Sequence, residues 1–132
     1  MEDRVDAPLV LVVEDDSDLC DLVTMVLELG LAVRTARAED GEQGLELTRK
    51  LRPSLVLLDI KLPRISGLEV ARRLKADPLT RAIPLVAITS ESSRTTLAAG
   101  CDDHVGKPFD VAELVRKAGR YLRLSTQLYP TA

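Results

Sequence analysis

The chain has 132 residues, of which 45% are hydrophobic and 30% charged, with a net charge of −3 and a pI of about 5.2. That length fits one domain with a single core. The acidic balance excludes the electrostatic footprint of a nucleic-acid or anionic-membrane binder, and no apolar run approaches the ~20 residues of a membrane span. Phe109, Tyr121 and Tyr129 are the only aromatic residues, so Leu, Val, Ile and Ala must fill the core. The start, MEDRVDAP, is acidic and lacks the apolar region of an export signal. Cys20 and Cys101 lie far apart and outside any metal-binding spacing. Reduced thiols in the cytoplasm are the expectation.

Residues 1–8 read as a leader. Leu9 to Val13 (LVLVV) is an apolar, β-branched run and a buried strand. A helix can start at Asp16 or Ser17, both good N-caps. Leu19, Leu22, Val23, Val26 and Leu27 follow at helical spacing, and Gly30 ends it. Leu31 to Ala36 reads as a weaker second strand. Asp40 to Leu51 reads as a helix ended by Pro53. Leu55 to Leu58 is a third strand, and Gly67 to Ala76 a helix with Leu68, Ala71 and Leu74 inward, closed by Asp77-Pro78. Pro84 to Ile88 is a fourth strand, Thr95 to Ala99 a short helix before Gly100, and His104 to Gly106 a brief fifth strand. The last helix runs from Asp110, its cap, to Leu124, with Glu113 at the capping-box position. Residues 125–132 read as a loosely held tail.

Strand and helix thus alternate five times. Continuous apolar strands between amphipathic helices predict a parallel sheet covered on both faces. Ligands of such sheets bind beyond the carboxyl ends of the strands. There the chain places Glu14-Asp15-Asp16 after strand one, Asp59 after strand three, Thr89-Ser90 after strand four and Lys107-Pro108 after strand five. A bare carboxylate at the end of the apolar run SLVLLD is costly unless something cationic meets it. Clustered carboxylates repel, so a proton or a cation must join them. With no His or Cys among the donors, Mg²⁺ (or Mn²⁺) is the expected cation. A nucleophilic carboxylate, a metal, a lysine and a hydroxyl donor are the parts needed to receive a phosphoryl group. This reading takes Asp59 to be accessible, because it is to be modified.

The stretches LVVEDD, LVLLDIKLPRISG, IPLVAITS and DDHVGKPF, in that order and each at a strand end, resemble the receiver domains of two-component response regulators. The similarity runs from about Leu9 to Leu124 and implies a flavodoxin-like (βα)5 doubly wound fold with helices on both faces. It implies Glu14 and Asp15 as metal acids, Asp59 as phosphoacceptor and metal ligand, and Lys61 as a ligand through its backbone carbonyl. Thr89 and Lys107 would hold the phosphoryl oxygens, and Pro108 would follow Lys107 through a cis bond that helps aim the lysine. His104 stands where the family usually carries Tyr or Phe, the ring that turns inward as Thr89 moves. A histidine there predicts signalling that depends on pH near 6 to 7. Lys61 and Glu91 flank the mouth, and an ion pair between them is expected to hinder water. The donor would be a sensor histidine kinase or a histidine phosphotransfer protein, the output an unknown downstream protein, with no nucleic acid or membrane bound directly and a monomer or weak homodimer as the working state. A stand-alone receiver is favoured over the receiver part of a longer protein.

Plainer roles compete for some residues. Asp16 and Ser17 are read as helix caps, Cys20 and Cys101 as small apolar fillers, and Arg72, Arg73 and Lys75 as a solvated helix face. Between Thr89 and Lys107 lie seventeen residues, SESSRTTLAAGCDDHVG. The family has about four more, roughly one helical turn, so either the fourth helix is short and mobile or the output uses another face, such as the first helix. That leaves a second reading, a docking or dimerisation module that no longer needs phosphorylation. A haloacid-dehalogenase-type phosphatase is disfavoured because Lys61 stands where a second Asp is required. Nucleotide binding is disfavoured because no Gly-rich loop follows strand one.

Overall fold

The structure, a computed structural model, describes residues 7–90 and 92–123. Five strands, β1 (Leu9–Val13), β2 (Arg34–Ala38), β3 (Leu55–Asp59), β4 (Leu85–Thr89) and β5 (Asp103–Gly106), form one parallel sheet in the order β2-β1-β3-β4-β5. Five helices, α1 (Ser17–Gly30), α2 (Gly41–Leu51), α3 (Gly67–Ala76), α4 (Ser93–Ala98) and α5 (Val111–Leu122), alternate with them. The order reverses at β1, which opens a crevice between the carboxyl ends of β1 and β3.

The period of two along each strand divides the apolar runs between two layers. Val10, Val12, Leu55 and Leu57 pack with α1 and α5, whereas Leu11, Val13, Val56 and Leu58 pack with α2 and α3. This is why β1 and β3 lack polar alternation: both faces are covered. Each helix starts on a short polar side chain that accepts a backbone N–H: Asp16, Asp40, Ser66, Ser92 and Asp110. Glu113 forms an ion pair with Lys117 at 3.6 Å, while Asp110 accepts from Ala112. Leu68 is only partly buried; Val70 joins Ala71 and Leu74 on the inner side of α3.

Several boundaries differ from those expected, β3, β4, α4 and β5 by one or two residues and β2 by more. β2 is Arg34–Ala38 rather than Leu31 to Ala36, because Leu9 pairs with Arg34 and Val13 with Ala38. Leu31 and Val33 are fully buried core residues of the connection, so their apolar character reported burial and not strand. α1 ends with Gly30 helical and Leu31 extended, so no left-handed glycine closes it. α5 ends at Leu122 with Arg123 in the left-handed conformation; Leu124, the leader through Asp6 and the tail lie outside the described residues. α4 is short, six residues.

Gly67 shapes the crevice. A Cβ there would meet the Asp59 carbonyl oxygen at 2.3 Å and Ile60 Cα at 2.6 Å, both backbone atoms that cannot swing aside. Its own N–H donates to the Ile60 carbonyl at 2.8 Å. The bare glycine lets α3 start directly against the end of β3.

Gly67→Ala is expected to destabilise the fold by about 1–3 kcal/mol, the usual cost of overpacking, read by urea denaturation; an unchanged midpoint would refute the close approach. α4 should exchange its amides faster than α5. Its bonds are long and shared, with the Ala99 N–H divided between Thr95 at 3.3 Å and Thr96 at 3.2 Å. Hydrogen exchange protecting residues 95–98 as strongly as 114–118 would contradict this.

Candidate functional site

β3 delivers Asp59 as its last residue, after four residues that are 1% exposed or less. The carboxylate is not left bare. Lys107, 48 positions further along the chain, reaches over from the loop after β5 and sets its ammonium 3.1 Å from Asp59 Oδ2. The same ammonium lies 3.5 Å from Glu14 Oε1, and the Lys61 N–H donates to Asp59 Oδ1 at 3.2 Å. Asp59 is 5% exposed and Glu14 6%. The expectation of an accessible Asp59 is thereby corrected. The α3 start at Gly67 and the neighbouring strand ends enclose the carboxylate, leaving it at the floor of the crevice.

Glu14 follows β1, whose end is held by the Glu14 N–H donating to the Ala38 carbonyl at 3.0 Å. Its Oε2 accepts from the Asp16 N–H at 3.1 Å. Burial pushes the Glu14 carboxyl up to about 7; the Asp16 N–H opposes this, and the hydrogen bond and negative charge of Asp59 add to it. For Lys107, burial works against the ammonium, but the bond to Asp59 and the charges of Asp59 and Glu14 outweigh it and hold its pKa above the usual value. Asp15 is exposed at the rim. One oxygen each from Glu14, Asp15 and Asp59 lies within 4.8 Å of the others. Three acids thus gather beside one lysine, and the Glu14 carboxyl is raised chiefly by burial, with Asp59 adding to it. The donors are all oxygen, which fits a hard divalent cation such as Mg²⁺.

Thr89 ends β4, 1% exposed. It pairs in register with Gly106, and its carbonyl accepts the Lys107 N–H at 3.0 Å, so β4 and the lysine loop are joined directly. The Lys107–Pro108 peptide bond is cis. His104 lies in β5 beside Ala87. Its N–H donates to Asp103 Oδ1 at 2.7 Å and its carbonyl accepts from Lys117 at 2.6 Å. Glu91 is outside the described residues, and so is the expected Lys61–Glu91 pair. A cleft of about 250 Å³ flanks the acids, lined by Ser17, Cys20, Arg37 and Gln43 among others. Cys20 and Cys101 are buried and unpaired, and burial raises both thiols, as suits fillers.

Two residues carry roles the sequence did not disclose. Lys75 is no solvated helix residue: its ammonium bonds the Arg81 and Ile83 carbonyls and Asp102, at 3.2, 2.9 and 3.0 Å, fastening α3 to the start of β5. Arg72 and Arg73 do face solvent, paired with Glu69. Arg64 has φ of 67° and pairs with Asp40, tying the loop after Asp59 to the cap of α2. Its place one residue after Pro63 is the only local hint of that turn.

The response regulator receiver domain family matches residues 10–118. Over 118 residues the chain is 42% identical to the DNA-binding response regulator MtrA of Mycolicibacterium smegmatis, a match covering 86% of this chain and 50% of that protein. The chain spans about half the length of the curated relatives it matches. A response regulator structure from Chloroflexus aurantiacus superposes with a TM-score of 0.84 at 28% identity, covering 89% of this chain and 99% of that one. The receiver domain of the sensor histidine kinase PA1611 of Pseudomonas aeruginosa, solved with magnesium coordinated in its active-site cleft, gives 0.81 at 29% identity, covering 89% and 98%. With the fold, the acidic crevice and these matches agreeing over nearly the whole described chain, the protein belongs to the response regulator receiver domain family.

Proposed function

We propose that this receiver domain accepts a phosphoryl group on Asp59 and, in that state, changes which proteins it binds. The observation that carries the reading is the Lys107 ammonium held between the Asp59 and Glu14 carboxylates. An Asp59 oxygen attacks phosphorus, the bond from phosphorus to the donor's leaving atom breaks, and that atom departs with the electron pair. Lys107 stands where it can pair with the incoming phosphoryl oxygens, and Thr89 supplies a hydroxyl donor at the neighbouring strand end. Glu14, Asp15 and Asp59, with the Lys61 carbonyl, would hold Mg²⁺ (or Mn²⁺), which when bound supplies positive charge against those oxygens. The domain acts as a phosphoacceptor that assists its own transfer and dephosphorylation, not as an enzyme with a released substrate.

The donor is a sensor histidine kinase or a histidine phosphotransfer protein. His104, in β5 next to the β4 end that bears Thr89, is the candidate switch ring, and Lys61 with Glu91 the candidate control on water at the mouth. The net charge of −3 supports a domain that does not itself hold nucleic acid. The DNA binding in the name of the mycobacterial relative belongs to a protein of which the match covers 50%. Two free thiols support a reducing, cytoplasmic setting, and no described helix is long and apolar enough to cross a membrane. The six-residue α4 favours a second reading, docking without phosphorylation.

Intact mass after acetyl phosphate with Mg²⁺ decides between the two. A phosphoryl gain in wild type, absent from Asp59→Ala and after chelation, is expected; no gain in wild type would leave the docking reading. Glu14 yields a pH test in the metal-free protein. Its proton persists to about pH 7 when folded but only to 4.5 in the unstrained carboxyl. The folded state binds more protons between those values, so stability falls as pH rises through that window. Urea unfolding in chelator at pH 5, 6 and 7 should show this fall in wild type and a flatter profile in Glu14→Gln. Identical slopes would exclude the assignment.

A further inference from the structure

The chain between β3 and α3, residues 60–66, starts beside Asp59 and is fastened in two ways. At its base the Lys61 N–H donates to Asp59 Oδ1 at 3.2 Å, and the Ile60 carbonyl accepts from Leu62 at 3.1 Å and from Gly67 at 2.8 Å. Its outer half leans on α2. Ile65 packs over the bare α-carbon of Gly41, the first residue of that helix; a Cβ there would lie 2.6 Å from Ile65 Cγ1. Next to it the Arg64 guanidinium pairs with Asp40 Oδ2 and lies 3.9 Å from Glu42 Oε1. Asp40 uses its second oxygen, Oδ1, to cap α2 by accepting the Gln43 N–H at 2.8 Å.

Arg64 holds this place at a conformational cost, since its φ of 67° is a left-handed backbone that side chains rarely adopt. Glycine would suit the turn better, so what arginine adds is its side chain. That side chain is 65% exposed, and such a pair contributes little to the stability of a fold. Its position suggests another use. α2 rests on β1: a Cβ at Gly44 would meet Val13 Cγ1 at 3.0 Å, and Val13 directly precedes Glu14 and Asp15. The Asp40–Arg64 pair therefore links the element that carries Glu14 and Asp15 to the loop that carries Lys61.

We propose that Arg64 and Asp40 are positioning residues for the divalent cation: their pair holds the loop, and with it the Lys61 carbonyl, at the spacing from Glu14 and Asp15 that a small octahedral ion needs. This rests on the reading of the Lys61 carbonyl as a metal ligand. Mg²⁺ demands near-ideal octahedral geometry at about 2.0–2.1 Å, whereas Ca²⁺ accepts longer and irregular bonds. A loosened loop thus weakens Mg²⁺ more than Ca²⁺. Charge alone predicts the opposite for Arg64, because removing a positive group from the neighbourhood of three acids strengthens the binding of any cation. Positioning and charge differ in sign.

Calorimetric titration of the unphosphorylated chain with magnesium chloride, and separately with calcium chloride, tests this. Amide fingerprints and urea midpoints establish that each variant is folded and about as stable as wild type. Arg64→Ala is expected to bind Mg²⁺ about 10-fold more weakly, the lower end for an outer-shell partner, with Ca²⁺ binding unchanged or slightly tighter. Arg64→Lys, which keeps the charge and a donor, should recover most of the Mg²⁺ affinity. Asp40→Asn keeps the cap oxygen and should match Arg64→Ala for Mg²⁺. The double variant should be no weaker than either single one, since both remove one interaction. Mg²⁺ binding by Arg64→Ala as tight as wild type or tighter, an equal loss for both ions, or additive losses in the double variant would overturn the positioning role and leave the metal reading intact. A wild type that takes up neither ion would overturn the metal reading and this proposal together.

Discussion

The contact between Lys107 and the buried carboxylates of Asp59 and Glu14 is the constraint on which this domain turns. Taking a carboxylate out of water costs several kcal/mol unless it is paired. Two of them sit side by side with one ammonium between them, so the pairing is incomplete by design of the strand ends. Burial, with the hydrogen bond and charge of Asp59 added, raises the Glu14 carboxyl to about 7. A buried, oxygen-lined site of this kind gains by taking up a cation.

The rest of the fold serves to hold that imbalance in place. The lysine loop can reach Asp59 because β5 follows β4 at the sheet edge and the Lys107 N–H is bonded to the Thr89 carbonyl. Asp59 cannot retreat toward solvent because α3 begins against its own carbonyl, where only a glycine fits. Arg64 and Lys75 add fastenings from α3 and its preceding loop to α2 and β5. The hydrophobic layers on either side are built almost wholly of aliphatic side chains, as a close-packed core requires.

At the opposite extreme is α4, a six-residue helix, half of it Ser and Thr, with shared, lengthened bonds. The same chain therefore combines a tightly determined acidic crevice with a weakly determined neighbour on the β5 side. By contrast α1, 14 residues long, is firmly seated by Cys20, Val23 and Leu27 and presents a continuous outer stripe.

Much of this was legible in local patterns. Apolar runs of strand length marked β1, β3 and β4, short polar residues marked the helix starts, and a chain alternating strand with helix has to bring its strand-end charges to one edge. The second strand was misplaced because RTARA, an edge strand, is polar, while the apolar Leu31 and Val33 belong to a buried connection. Lys75 looked like any helix-surface lysine because its acceptors lie in other segments. By itself, then, the sequence determined the elements and the identity of the groups at their ends, since caps, periodicity and apolar runs act within a few residues. Only the tertiary structure decided that Asp59 is buried, that the Glu14 carboxyl is raised and that Gly67 must lack a side chain. Those are properties of distance and dielectric between residues remote in the chain, and they exist only once strand order and register are set.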